Sequence, residues 1–102
     1  MTNEYFHGSE LKFSFQIECE GFNMDNDPWS AVIRNGDKTI VCTKTDNTVV
    51  DENGKWYLLV DTALLGTGNC TLVVEIDVPD SDFPDNYRHE VYKQNLLTIK
   101  RV

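Results

Sequence analysis

Four aspartates lie within nine positions in the C-terminal half of the sequence, framed by Pro79 and Pro84. They are Asp77, Asp80, Asp82 and Asp85, in the stretch IDVPDSDFPDNYRHEV. Residues 77–85 are called the acidic segment below. Closely spaced carboxylates in a loop are the usual protein ligands of Ca²⁺, although this spacing lacks the glycine and the final glutamate of an EF-hand loop. Asp and Pro also enforce turns by side-chain capping and by a fixed φ. The segment therefore predicts either a solvated connection between two strands or a calcium site.

Residues suited to catalysis are sparse. The chain has two histidines: His7 near the N-terminus, and His89, which stands between Arg88 and Glu90. No serine occurs in a nucleophile elbow, and no glycine-rich loop precedes a helix. General acid–base chemistry needs a His or carboxylate in an apolar pocket together with its partners, and no such constellation is visible. We predict a protein that is not an enzyme, with no catalytic residue and no cofactor other than the possible calcium.

Composition narrows the class of protein. The 102 residues carry a net charge of −8 and 40% apolar residues, which fits one folded domain over residues 1–102. An acidic chain lacks the basic face that binds phosphates, so nucleic acid and anionic membranes are excluded as expected partners. The N-terminus has no basic start followed by an apolar core, so we expect no signal peptide and a location in the cytoplasm. Residues 1–8 are expected to form a loosely ordered arm.

The three cysteines do not suggest a framework of disulfides or a metal site. Cys19, Cys42 and Cys70 are odd in number and show neither a CxxC motif nor zinc-ligand spacing. Free cysteine is among the residues most often buried, so all three are expected to be small core side chains. A contact between Cys19 and Cys70 stays open.

Alternation of apolar and polar residues with a period of two runs through almost the whole chain and predicts strands. Asn-Gly pairs in NGDK (35–38) and DENGK (51–55) predict tight hairpin turns, and DTALLG (61–66) predicts one capped turn crossing between sheets. The pattern predicts an all-β fold: a single antiparallel Ig-like β-sandwich of seven to eight short strands. The residues expected to face inward are Leu11, Phe13, Phe15, Ile17, Cys19, Trp29, Ala31, Ile33, Trp56, Leu58, Val60, Cys70, Leu72, Val74, Ile76 and Val78.

Several aromatic residues fall outside this inward series and are candidates for an interface. A sandwich that exposes them would carry a patch of the kind that marks a binding surface, and edge strands would offer β-augmentation. In our hypothesis Phe83 closes one end of the core, while the nearby carboxylates form a negative rim that steers a basic partner. The predicted interface residues are Phe83, Tyr87, Tyr92, Tyr57, Asp80, Asp82 and Asp85.

The order of these segments resembles a known family. LKFSFQIE, WSAVIRNGDKTIV, GKWYLLVDTALLGTGNCTLVVEIDV, DSDFPDNYRHEV and LLTIK are similar to small Ig-like β-sandwich domains of phages and prophages of gut Bacteroidetes, and to the N-terminal domain of phage baseplate upper proteins. The resemblance implies an adaptor that docks a fibre or receptor-binding subunit onto a virion, often around a threefold axis. It also implies other virion proteins and a homotrimer as partners, and assembly from the cytoplasm into the virion. The family attaches this domain to a longer chain that carries a helix or fibre, whereas this sequence is expected to be a stand-alone module. Docking or head decoration is therefore expected here rather than direct receptor binding.

A second function class stays open beside the adaptor. It is a soluble binding module for calcium or carbohydrate, in which Trp29, Tyr87 and the acidic segment would contact the ligand. Exposed aromatic rings are what such a site needs, whereas both Trp29 and Trp56 are predicted to face inward. The accessibility of the tryptophans therefore distinguishes the two classes.

Overall fold

The computed structural model describes residues 3–45 and 47–102, and the chain is nearly all β, as predicted. One turn of 3₁₀ helix, Thr62–Leu64, interrupts the strands. The eight strands are β1 Asn3–Phe6, β2 Glu10–Phe15, β3 Trp29–Asn35, β4 Lys38–Thr43, β5 Val49–Glu52, β6 Lys55–Asp61, β7 Gly68–Pro79 and β8 Tyr87–Lys100. Among these described residues no helix is long and apolar enough to cross a membrane.

The strands form two sheets. One has the order β1-β8-β7-β3-β4, and the other the order β2-β6-β5. All neighbours run antiparallel except β1 and β8, which pair in parallel from Asn3 opposite Leu97 to Phe6 opposite Lys100. The prediction of a purely antiparallel arrangement is therefore wrong for this ladder. Residues 1–8 were expected to be a loose arm, yet 3–6 are held by the ladder because the end of β8 offers them an unpaired backbone edge.

Alternate residues of both sheets meet in one core. Residues predicted to face inward on β3, β6 and β7 are buried with few exceptions, and Leu97 and Ile99 of β8 join them. Trp29 is buried and packs edge-on against the half-buried Trp56, with ring centroids 5.5 Å apart. The Trp29 indole Nε1–H donates to the carbonyl of Met24 at 3.0 Å, which satisfies its polar atom inside the core.

Two strand predictions differ from the structure in length. The alternation of residues 11–19 predicted one strand, but β2 ends at Phe15, and Ile17 and Cys19 are half-buried in the irregular segment that follows. YRHEVY and LLTIKRV were predicted as separate strands and form the single 14-residue strand β8. A register shift between Cys70 and Thr71 of β7 lets the inward-facing phase of β8 change along its length.

The two Asn-Gly pairs make different turns. Asn53 and Gly54 both have positive φ, 55° and 83°, as a type I′ hairpin requires. In the first hairpin the pair Asn35 and Lys38 closes β3 on β4, and of the residues in this turn Gly36 alone has a positive φ, 62°. The prediction of a turn is confirmed at both places, but Asn35 belongs to the strand.

The Asn35 side chain instead holds the crossover between the two sheets. Its Nδ2 donates to the carbonyls of Leu65 at 2.7 Å and Thr67 at 2.9 Å. The Asp61 carboxylate caps the start of the 3₁₀ turn Thr62–Leu64, as predicted, by accepting from the Ala63 amide at 3.0 Å. The buried Thr62 hydroxyl donates to the Ser9 carbonyl at 2.8 Å, so the crossover is tied to both sheets.

Candidate functional site

The hairpin of β7 and β8 carries most of the predicted site residues. The ladder continues to Pro79 opposite Tyr87, and the Asp80 amide then donates to the Asn86 carbonyl at 2.9 Å to close the connecting loop. Asn86 takes a left-handed φ of 68°, a conformation that Asn tolerates better than most residues. The acidic segment is thus the tip of a long hairpin, as one of the two alternatives predicted.

Two carboxylates of the acidic segment shape the loop. Asp80 accepts from the Asp82 amide at 3.0 Å and from the Arg88 guanidinium at 2.5 Å. These contacts, first the backbone hydrogen bond and then the Arg88 ion pair, hold the pKa of Asp80 below its usual value. Asp85 accepts from the Tyr87 amide at 3.2 Å. Turn chemistry therefore engages one or both oxygens of these side chains.

Asp77 belongs to a separate cluster on the outer face of the sheet. His89 lies opposite it on β8, with its Nδ1 2.9 Å from Asp77 Oδ1 and its Nε2 3.5 Å from Glu75 Oε1. A carboxylate can only accept, so this position favours an imidazolium that donates from both nitrogens. The Asp77 hydrogen bond first, and Glu75 second, raise the pKa of His89.

A second polar chain follows the inner face of β8. Arg88 Nε donates to Glu90 Oε2 at 2.8 Å, and the Tyr92 hydroxyl donates to the other oxygen of the same carboxylate. The Cys19 thiol lies 3.8 Å from Glu90 Oε2. The hydrogen bond to Glu90 is the main reason that the pKa of Tyr92 rises to about 12, and Tyr92 and Arg88 together lower the pKa of Glu90.

The four aspartates do not converge on one point. Asp77 lies on the outer face of β7, whereas Asp80 and Asp85 bond within the loop. Within residues 3–45 and 47–102, no group of three or more His, Cys, Asp or Glu side chains is placed to hold a metal ion. The structure therefore supplies no geometry in support of the calcium alternative.

The predicted aromatic interface residues divide between two places. Phe83, Tyr87 and Tyr92 lie on the hairpin and are 43%, 41% and 44% exposed. Phe83 therefore does not close the end of the core, because half of its ring stays in water at the loop tip. Tyr57 is half-buried on the other sheet, where the Lys12 ammonium sits 4.5 Å from the centre of its ring.

Sequence reasoning missed Val91, which is 55% exposed on the outer face of β8. It shares this face with His89 and Lys93. Once YRHEVYK is known to be a strand, the alternation of its side chains between two faces predicts that Val91 lies on the outer one. On the hairpin Phe83, Tyr87, Val91 and Tyr92 together make four of the eight large hydrophobic side chains that are exposed among the described residues. Tyr87 and Val91 share the outer face of β8, whereas Tyr92 lies on its inner face. Exposed apolar side chains that share one face are typical of a binding surface.

Cys19, Cys42 and Cys70 form no disulfide with one another. Cys42 and Cys70 are buried as predicted, and burial raises the pKa of Cys70. Cys19 is half-buried beside Glu90, while the Cys70 thiol lies 3.9 Å from the Gly68 carbonyl, so the two thiols have different surroundings.

Acidic side chains are concentrated at the end of the molecule where β7 leads into β8, here called the acidic end. The β7–β8 hairpin places Asp77, Asp80, Asp82, Asp85 and Glu90 there. The Asp77 amide bonds to the carbonyl of Pro28, next to Asp27, and Cys19, between Glu18 and Glu20, lies beside Glu90. Arg88 is paired with two of these carboxylates, and Lys44 donates to the carbonyls of Asp25 and Asp27. The excess of negative charge at this end attracts a basic surface and repels an acidic one.

No protein-family model, no curated protein and no solved structure matches this chain.

Proposed function

We propose that the chain is a non-enzymatic adaptor that docks one protein onto another within a phage or prophage particle. The observation that carries the docking role is the β7–β8 hairpin, which exposes Phe83, Tyr87, Val91 and Tyr92 beside the acidic end. Burial of such side chains on a partner is the main source of binding free energy, whereas the surrounding carboxylates govern the approach of a basic surface. The particle itself is inferred from the family resemblance.

Strand order supports an Ig-like sandwich for this adaptor. β2, β6 and β5 correspond to strands B, E and D, and β8, β7, β3 and β4 correspond to G, F, C and C′. One core cluster contains side chains of both sheets, as packing face to face requires. Such sandwiches occur in many proteins whose role is recognition, so the fold is compatible with docking without specifying a partner.

The binding-module alternative receives no comparable support. A carbohydrate site would need Trp29 at the surface, and Trp29 is 6% exposed with its indole N–H bonded inside the core. A calcium site would need free carboxylate oxygens that converge, whereas Asp80 and Asp85 are engaged by Arg88 and by loop amides. The adaptor is therefore the function that the geometry favours.

Photocrosslinking tests the docking role directly. A photoreactive phenylalanine analogue replaces Tyr87 in one variant and Leu64 in a control, because Leu64 is 60% exposed in the turn before β7, at the opposite end of that strand from the loop tip. The proposal predicts that, during particle assembly in the host, position 87 crosslinks to a particle protein or to a second copy, and position 64 does not. Crosslinking at position 64 alone, or none at either position, would overturn it. Light scattering on the purified chain then shows whether the crosslinked species is the expected trimer.

A further inference from the structure

One side of the molecule, between β2 and β8, is left open along part of its length. Within the described residues β2 pairs with β6 alone, and β8 has no neighbour on the side away from β7 over Tyr87–Gln94. An Ig-like sandwich carries a strand A beside B, and no described strand takes that place next to β2. Two unpaired edges therefore face the same opening.

The first strand closes this opening at one end only. β1 pairs with β8 from Leu97 to Lys100, and Tyr5 reaches between the sheets to meet Phe13 edge-on, with ring centroids 6.0 Å apart. Among residues 3–45 and 47–102, this ladder runs from Asn3 to Phe6, and none of the described strands pairs with β8 nearer the acidic end. A strand added there would pair with the same edge of β8 that β1 occupies over Leu97–Lys100.

The opening is an apolar groove with a polar rim, and its volume is about 320 Å³. Phe13 and Phe15 line it from β2, and Ile17 lines it from the segment that follows β2. Leu72, Val74 and Leu96 line it from the other sheet, with Gln94 and Tyr92 at the rim. Since lining residues come from alternate positions of strands, the groove suits alternate side chains of an extended segment.

Backbone groups along β8 are oriented to receive that segment. The hydrogen bond from the Asp80 amide to the Asn86 carbonyl sets the alternation of the β7–β8 ladder, and the bond from the Asp77 amide to the Pro28 carbonyl agrees with it. The N–H and C=O groups of Tyr87, His89, Val91 and Lys93 therefore point away from β7, toward the unpaired edge. Such groups are a template for strand addition.

Charge decides what kind of segment fits. Glu18 lies in the groove wall, and the Cys19 contact brings the neighbouring Glu20 to the same end as Glu90. A second copy of this chain would bring another charge of −8 toward these carboxylates, whereas a segment ending in Lys or Arg would be attracted to them. The occupant that fits both the groove and its acidic end is an apolar strand with a basic end.

We propose that the groove between β2 and β8 receives one extended strand from a partner protein. That strand pairs with β8 over Tyr87–Lys93, places its apolar side chains in the groove beside Tyr92 and Gln94, and directs Lys or Arg toward Glu90 and the acidic end. The inference rests on the adaptor function and specifies how the adaptor holds its partner.

The test uses a pool of synthetic peptides of roughly ten residues, long enough to span the free edge. Val, Ile, Leu or Phe alternate with Ser or Thr, and Lys or Arg residues occupy one end or the other. Selection on the wild-type protein is expected to enrich peptides with basic ends, and bound peptides are expected to slow amide exchange at His89, Val91 and Lys93. Selected peptides in which Glu replaces the basic residues should bind more weakly.

A matched pair of variants locates the binding site. Lys93→Pro removes one amide that points away from β7, so the β7–β8 ladder is preserved and the free edge is blocked. Lys93→Thr keeps that amide and removes the same ammonium group. The selected peptides should lose at least about tenfold in affinity for Lys93→Pro relative to Lys93→Thr.

Each other outcome overturns the strand-docking proposal. Failure to enrich any peptide, equal affinity for both variants, or slow exchange of the three amides in the free monomer would show that the edge does not accept a strand. A wild-type dimer that Lys93→Pro dissociates would assign the groove to a second copy. Crosslinking at Tyr87 does not depend on the groove, so the adaptor function can stand when the groove proposal fails.

Discussion

Replacement of Asn35 tests whether this residue acts through its side chain or through its turn. Its Nδ2 donates two hydrogen bonds, 2.7 and 2.9 Å long, to the Leu65 and Thr67 carbonyls of the crossover. A net contribution of roughly 1 kcal/mol for each bond gives a loss of about 2 kcal/mol in the free energy of unfolding for Asn35→Ala. For a chain of 102 residues this corresponds to a decrease of about 9 °C in Tm.

Companion variants separate the two explanations. Asn35→Asp keeps the size and the turn preference but brings a carboxylate against two carbonyls, so it should destabilise at least as much as Asn35→Ala. Asn35→Gly should also be costly, because glycine supplies backbone freedom and no donor. Asn53, whose φ is 55°, provides the opposite case: Asn53→Gly should be nearly neutral, and Asn53→Ala should cost about 1 kcal/mol.

Urea unfolding followed by tryptophan fluorescence measures these differences, since Trp29 and Trp56 pack together between the sheets. The reasoning would be refuted if Asn35→Ala changed the free energy of unfolding by less than about 0.5 kcal/mol, the range of ordinary surface substitutions. It would also fail if Asn35→Gly proved as stable as the wild type, because the residue would then act through its backbone.

Three further measurements address the core, the surface histidine and the acidic segment. Ile33→Ala should lose about 2–5 kcal/mol in urea unfolding because Ile33 is fully buried, while Val41→Ala on the exposed face of the same hairpin should stay within about 0.5 kcal/mol. NMR titration should give His89 a pKa above its usual value, and Asp77→Asn should lower that pKa. Because the folded-state pKa is the raised one, His89 stabilises the fold fully below its unfolded-state pKa. This stabilisation is lost as pH rises through the folded-state pKa. Millimolar calcium should leave Tm unchanged because the carboxylates of the acidic segment do not converge, and a clear rise that chelator reverses would contradict that geometry.

Alternation in the sequence was enough to predict the β class and most of the core. Ala31, Ile33, Leu58 and Val60 are buried as their parity indicated, because a strand places successive side chains on opposite faces whatever its neighbours are. Local turn chemistry was equally informative: Asn53 with Gly54 forms the predicted hairpin, since left-handed φ angles are a property of those residues.

Tertiary structure alone decided which strands are neighbours and therefore where the candidate site lies. The parallel pairing of β1 with the end of β8 depends on contacts between residues more than ninety positions apart, and no local pattern encodes it. Arg88 and Glu90 occupy inward-facing positions of β8, where burial would be expected, and yet both are charged. They pair with each other and with Asp80 beside the open side of the molecule.

The acidic segment shows the same division. Local residue types determine its bend, because Asp80 and Asp85 cap nearby amides and the prolines restrict the backbone. Whether its carboxylates met at one point depended on the register of β7 against β8, which sends Asp77 to the outer face beside His89. Local residue types determine turns and alternation, whereas the convergence of distant side chains is determined by strand pairing across the whole chain.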